Sequence, residues 1–211
     1  MESIIDAGRM ASTWKNQQAY SIVVLSSQKD KDRLYELCPQ KALIKASHVL
    51  VFVGDHHRAY QASDYHETDF SHQGIEGLLV TAIDTSLVAQ NILLAAESMG
   101  YGGVFIGGIR TKISEVSDFL QLPDYTYPMY ALALGVPASL NPIKPRLPRE
   151  AVVFEGRYSL TDASYLSDYD KTQEDYAGNR QETSWSERLA QQFTQADVTP
   201  TKAHLRRKKL F

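Results

Sequence analysis

Between Gly102 and Arg110 the chain reads GGVFIGGIR, and at 144–146 it reads Lys-Pro-Arg. These are the stretches whose residue types and spacing suit ligand chemistry. The pair Gly107-Gly108 follows an apolar run and precedes a helical pattern. Glycines at such a turn let a planar ring approach main-chain N–H groups with no Cβ in the way. A plain strand-to-helix turn is the ordinary alternative. The stretch does not match G-x-G-x-x-G, and it lacks the Lys-Ser/Thr of a phosphate-binding P-loop. In an extended chain Lys144 and Arg146 face the same side, roughly 6–7 Å apart, and Pro145 stiffens that geometry. Two cations so held suit a phosphate group; two solvated charges on a proline-rich arm are the alternative. A third feature is the polar turn Ser12-Thr13-Trp14-Lys15-Asn16-Gln17-Gln18. Its hydroxyls and amides can read a heterocycle's edge or merely cap the backbone.

Other chemistry is poorly supported. His56 and His57 are adjacent and so diverge on any regular element; His66 and His72 flank Glu67 and Asp69 without a zinc-ligand spacing. No metal site is expected. There is no G-x-S-x-G, and Cys38 precedes Pro39 outside any nucleophile context.

The elements that must position these residues follow from periodicity. Ser3–Ser12 reads as a helix, Tyr20–Leu25 as a strand and Lys29–Leu37 as an amphipathic helix. Val49–Val53 is a continuous apolar run, the pattern of a strand buried on both faces. Asp55–His72 reads as irregular or partly helical. Ile75–Met99 is the longest helical segment, apolar around most of its circumference, and such a helix needs burial on nearly all sides. A second copy packing against it, in a homodimer, answers that need. Gly100 stops it. A short strand (103–107), a helix (113–122, ended by Pro123) and a strand (128–135) follow. Prolines 137, 142, 145 and 148 then mark an extended arm. Helical patches near 165–176 and 185–193 lead to a basic end, Lys202–Lys209, read as a solvated helix end.

The 211 residues carry 22 Lys and Arg against 25 Asp and Glu, a net charge of −3. Such a balance, without aromatic–basic interleaving, argues against nucleic acid or anionic membrane as a partner. One cysteine excludes an internal disulfide and points to a reducing, cytoplasmic compartment. The N-terminus shows no basic region followed by an apolar run. Asp84, Gln90, Asn91 and Glu97 interrupt the most apolar stretch and argue against a membrane span.

The helix end GRMAST, the Gln40-Lys41 pair, the block DTSLVAQNILLAAESMGYGGVFIGGIR, the segment YPMYALALGVPA and the arm KPRLP occur in that order. Together, from about Ser3 to Tyr158, they resemble the NADPH-dependent, oxygen-insensitive nitroreductase and NADPH–flavin oxidoreductase family. The resemblance implies an α+β nitroreductase-like fold: a mixed central sheet of four to five strands flanked by helices, a long buried central helix and an extended C-terminal arm. It implies a core over 1–136 and an arm with a helical region over 137–211. It further implies FMN bound without a covalent bond at a homodimer interface, with NADPH as electron donor. Nitroaromatics, quinones or free flavin would be the small-molecule acceptors, in a ping-pong scheme. No side chain would be catalytic, because the flavin carries the chemistry.

Carried over by position, Thr13 supplies a hydroxyl to FMN and Gln40 lies beside the ring. Phe105, Ile106, Gly107 and Gly108 run past the isoalloxazine. Lys144 and Arg146 hold the phosphate or ribityl chain, and Arg180 grips the NADPH 2′-phosphate. The family's N-terminal R-S-I-R-x-F segment, whose arginines bind the FMN phosphate, has no counterpart in this sequence. The phosphate shell then falls chiefly to Lys144 and Arg146. The alternative is a dimeric, non-catalytic family member that binds FMN weakly or not at all.

Overall fold

The computed structural model describes residues 1–71, 74–160, 162–178, 183–194 and 200–211. They form two compact units. One holds Met1–Ala138 together with the C-terminal segment; the other takes the chain from Ser139 onward until that segment begins.

The first unit is built on strands β1 (Tyr20–Leu25), β2 (His48–Asp55), β3 (Gly102–Ile106) and β4 (Thr126–Gly135), in the order β1-β2-β4-β3. All three pairings are antiparallel, which corrects the expected mixed sheet. The apolar run Val49–Val53 is buried on both faces as its composition requires. That burial comes from helices on both sides of an antiparallel sheet rather than from parallel crossovers. Helices α1 (Glu2–Arg9) and α5 (Gly74–Ser98) cover one face. There Leu50, Phe52, Leu132 and Leu134 pack with Ile4, Val88, Ala89 and Ile92. Gly8 is required at the α1–α5 crossing, because an added Cβ would overlap the Ile92 side chain. Helices α2 (Gln28–Leu37), α3 (Lys41–Lys45) and α6 (Ile113–Phe119) cover the other face. There Leu34, Leu37, Cys38 and Leu43 meet Val49, Val51, Ala131 and Ala133.

Within Asp55–His72, read as irregular or partly helical, helix α4 (His57–Tyr65) is the helical part. The five-residue α3 was not anticipated, since one helical turn is too short to show periodicity.

Along α5, Val80, Asp84, Val88, Ile92 and Ala96 face the sheet and are buried. Ile75, Leu79, Ile83, Leu87 and Leu94 are exposed within this chain. The near-circumferential apolar pattern therefore divides into a face that meets the sheet and a face left exposed among the described residues.

The basic C-terminus is not a solvated helix end. Helix α9 (Thr201–Arg207) docks onto the first unit, with Leu205 and Leu210 packed on Tyr127. Arg207 pairs with Asp118 at 3.1 Å and Lys209 with Asp124 at 2.6 Å. The Lys208 carbonyl accepts from the Tyr125 N–H at 2.9 Å. His204 is buried with Nδ1 at 3.1 Å from Ser114 Oγ. Burial, then the neighbouring Arg207 and Lys208, lower its pKa from 6.5 to about 4 against the opposing pull of Asp118. The unfolded chain thus takes up this proton first. Stability is complete above pH 6.5 and falls as pH drops toward 4, by up to about 3 kcal/mol. Urea midpoints of the wild type should decline across that window, and those of His204→Gln should decline less. Equal slopes would remove His204 as the cause.

In the second unit, a single 3-10 turn (Arg149–Ala151) precedes helices α7 (Tyr165–Ala177) and α8 (Trp185–Gln192). Ser184 caps α8 by accepting the Glu187 N–H. Tyr169 and Trp185 join the two helices edge to face, with centroids 5.0 Å apart.

Candidate active site

The glycine turn is shaped by a defect in the neighbouring strand. Pro128 sits in β4 opposite Val53, and the register slips there so that Tyr130 faces Phe52. Met129 is the extra residue, the signature of a β-bulge at a position that lacks an N–H donor. Its carbonyl accepts from Arg110 Nη1 at 2.5 Å. The Arg110 guanidinium thereby lies over Gly107, where an added Cβ would come within 3.2 Å of it. Gly107 and Gly108 open a 3-10 turn, Gly107–Lys112, directly after β3, so their N–H groups precede its first internal hydrogen bonds. Gly108 also has a packing reason to be glycine, because an added Cβ would stand 3.1 Å from Cys38 Sγ.

That contact sets the Cys38–Gln40 turn beside the glycine turn. The Gln40 N–H donates to the Cys38 carbonyl at 2.7 Å. Gln40 then opens α3 as an exposed N-terminal residue. Burial pushes the Cys38 thiol above its usual pKa, so it is a packing group and a poor nucleophile. Ile106 is buried, whereas Phe105 is partly exposed and meets Tyr130 edge to face at 5.4 Å.

Thr13 lies on the other face of the sheet. It is extended and half-buried, at the start of the 3-10 turn Trp14–Asn16. Its Oγ1 accepts from the Gln18 N–H at 3.4 Å. Lys15, Asn16 and Gln18 all have positive φ, each costing about 1 kcal/mol or more for a residue with a side chain. The Asp55 N–H donates to the Ala19 carbonyl at 3.1 Å, and two side chains also hold this loop. Asp84 of α5, wholly buried, accepts the N–H groups of Trp14 at 2.9 Å and Ala19 at 3.1 Å. Arg58 donates to the carbonyls of Gln18 and Tyr20 and is anchored on Asp55 at 3.0 Å.

In the second unit the Lys144-Pro145-Arg146 arm is pinned by its middle residue. The Pro145 carbonyl accepts from Tyr169 Oη at 3.0 Å and from Gln173 Nε2 at 3.3 Å, both on α7 and both buried. Lys144 and Arg146 are exposed on either side. Arg146 donates to its neighbours' carbonyls, Lys144 among them at 2.8 Å. Neither cation forms an ion pair with an acid among the described residues.

Within one chain, then, the Cys38–Gln40 turn and Gly108 come together, while the Phe105 side chain meets Tyr130 on the α5 side of the sheet, the side on which the Thr13 loop is held by Asp84. Lys144 and Arg146 belong to the second unit, and Arg180 lies outside the described residues. Sequence reasoning missed the supports: Arg110, Asp84, Tyr169 and Gln173. Only Asp84 carried a signal, a lone acid inside an apolar helix, and it was read solely as an argument against a membrane span.

The model of the nitroreductase family matches residues 1–136, and that of the family's C-terminal domain matches 144–210. An NADPH-dependent oxidoreductase of Staphylococcus aureus is 38% identical over 201 residues, covering 90% of this chain and 80% of that protein. The NfrA1 nitroreductase of B. subtilis superposes with a TM-score of 0.92 at 34% identity, over 98% of this chain and 88% of its own. The NADPH:FMN oxidoreductase of Vibrio harveyi, complexed with NAD+, superposes with a TM-score of 0.89 at 31% identity, over 98% and 86% of the two chains.

Proposed function

Because this chain belongs to the nitroreductase family, we propose that it is an FMN-dependent oxidoreductase that takes hydride from NADPH. It passes the electrons to nitroaromatics, quinones or free flavin in a ping-pong cycle, and it works as a homodimer. The observation that carries this reading is the Gly107–Gly108 turn. It opens a helical turn with no Cβ over its main-chain donors, and the Cys38–Gln40 turn is packed beside it.

The residues fit the cofactor's chemistry. A planar ring needs main-chain N–H donors at its edge, and Gly107 and Gly108 open a turn whose first N–H groups precede its internal hydrogen bonds. A phosphate needs cations not already neutralised, and Lys144 and Arg146 have no acidic partner among the described residues. Thr13 offers a hydroxyl whose proton is uncommitted. The flavin supplies reversible hydride acceptance, so no side-chain acid or base is required at the reacting atom. The chain's own residues hold and orient: Gln40 beside the ring, Phe105 and Ile106 along it, Lys144 and Arg146 at the phosphate end. Arg180 is assigned to the NADPH 2′-phosphate.

Two features support the dimer. Thr13 and the glycine turn lie on opposite faces of one sheet, so a site that uses both draws on two copies. The exposed stripe Ile75, Leu79, Ile83, Leu87 and Leu94 gives those copies an apolar surface to share. One buried cysteine is consistent with a cytoplasmic setting.

The deciding experiment is the visible spectrum of the purified protein after excess FMN and desalting. A band near ~450 nm that survives desalting and bleaches with NADPH is expected. A colourless protein would overturn the reading in favour of a non-catalytic family member.

A further inference from the structure

We propose that Asp84 is a positioning residue of the cofactor site, holding the 13–19 loop in the conformation that presents the Thr13 hydroxyl. The proposal rests on the reading of Thr13 as a flavin contact.

A fully buried carboxyl group on a core helix is costly unless its oxygens find donors. Asp84 finds two, and both belong to one loop. One oxygen takes the Trp14 N–H at 2.9 Å, the other the Ala19 N–H at 3.1 Å. A single rigid side chain thus fixes both ends of the segment. Between those ends, Lys15, Asn16 and Gln18 hold positive φ, which residues with a Cβ adopt reluctantly. The loop's own bonds are short-range, such as the Gln17 N–H to the Trp14 carbonyl at 2.8 Å. They define a turn but do not tie it to the core. Arg58, through the Gln18 and Tyr20 carbonyls, and the Asp55 N–H, which donates to the Ala19 carbonyl at 3.1 Å, secure only the exit. The entry is held at Trp14, the residue directly after Thr13, so Asp84 sets the plane of the peptide from which the Thr13 side chain projects. The Thr13 Oγ1 accepts from Gln18 at 3.4 Å, and its proton remains available to donate.

Asp84→Asn keeps the volume but replaces one acceptor oxygen with an amino group facing an N–H donor. The test is a double-mutant cycle on FMN affinity, read by quenching of flavin fluorescence, using Asp84→Asn and Thr13→Val in the full-length protein. Each single variant should weaken binding about tenfold, and the double variant little more than either alone. Effects that multiply to about a hundredfold would overturn the proposal. Thr13→Val weakening with Asp84→Asn neutral would overturn it while leaving the Thr13 assignment standing. A neutral Thr13→Val would overturn both.

A cofactor-free readout runs beside the cycle. Amide exchange over 13–19 should quicken at least about tenfold in Asp84→Asn while β2 stays protected, and unchanged exchange would overturn the proposal. Should that variant not fold, the wild type still decides. The Trp14 and Ala19 amides must exchange more slowly than their loop neighbours, and equal exchange would count as refutation.

Discussion

Lys144→Ala combined with Arg146→Ala is expected to cost two to four decades in FMN affinity while leaving the fold intact. Each cation contributes a charge-assisted contact worth roughly 1.5–3 kcal/mol to a bound phosphate, and a decade of affinity is about 1.4 kcal/mol. The fold should survive because the arm is not held by these side chains. It is held at the Pro145 carbonyl by Tyr169 and Gln173, and truncating its exposed neighbours leaves those bonds in place. Flavin fluorescence titration measures the loss, and thermal unfolding of the cofactor-free protein supplies the control. Wild-type affinity in the double variant would remove the phosphate assignment.

The second large effect is on assembly. Ile83→Glu with Leu87→Glu should convert the proposed dimer to monomer at micromolar concentration. Both side chains are about half exposed in the single chain and stand one turn apart on the outer face of α5. In a two-fold interface four such side chains lose their remaining exposed half, each worth about 0.75–1.5 kcal/mol. Their sum is about two to four decades in the dimer constant even before the glutamates lose hydration. Sedimentation or light scattering reads the outcome. FMN affinity should fall together with the dimer, because Thr13 and the glycine turn stand on opposite faces of one sheet. A monomer that retains full FMN affinity would refute the two-copy site.

Much of the local architecture is legible from sequence because it depends on neighbours along the chain. The run Val49–Val53, the long apolar segment closed by Gly100 and the polar turn after α1 each imply their element directly. So does the stiff Lys-Pro-Arg spacing, and the block from Asp84 to Arg110 with the KPRLP arm is specific enough to identify the family. The FMN assignments drawn from it remain for the spectrum and the variants above to test.

What tertiary structure alone decided concerns groups far apart in sequence. The antiparallel sheet, the docking of the basic C-terminus on Asp118, Asp124 and Tyr127, and the contact of Cys38 with Gly108 are pairings that no local pattern encodes. Asp84 shows the distinction most clearly. In sequence it is an acid in an apolar helix; in space it accepts two N–H groups of a loop some 65 to 70 residues earlier. Local composition marks groups that need burial or a partner, such as the run Val49–Val53 and the lone acid Asp84, but it gave no sign that the basic C-terminus would be docked and paired. Which partner each one met was settled only by folding, because a buried polar group must bond to whatever the packed chain brings within reach.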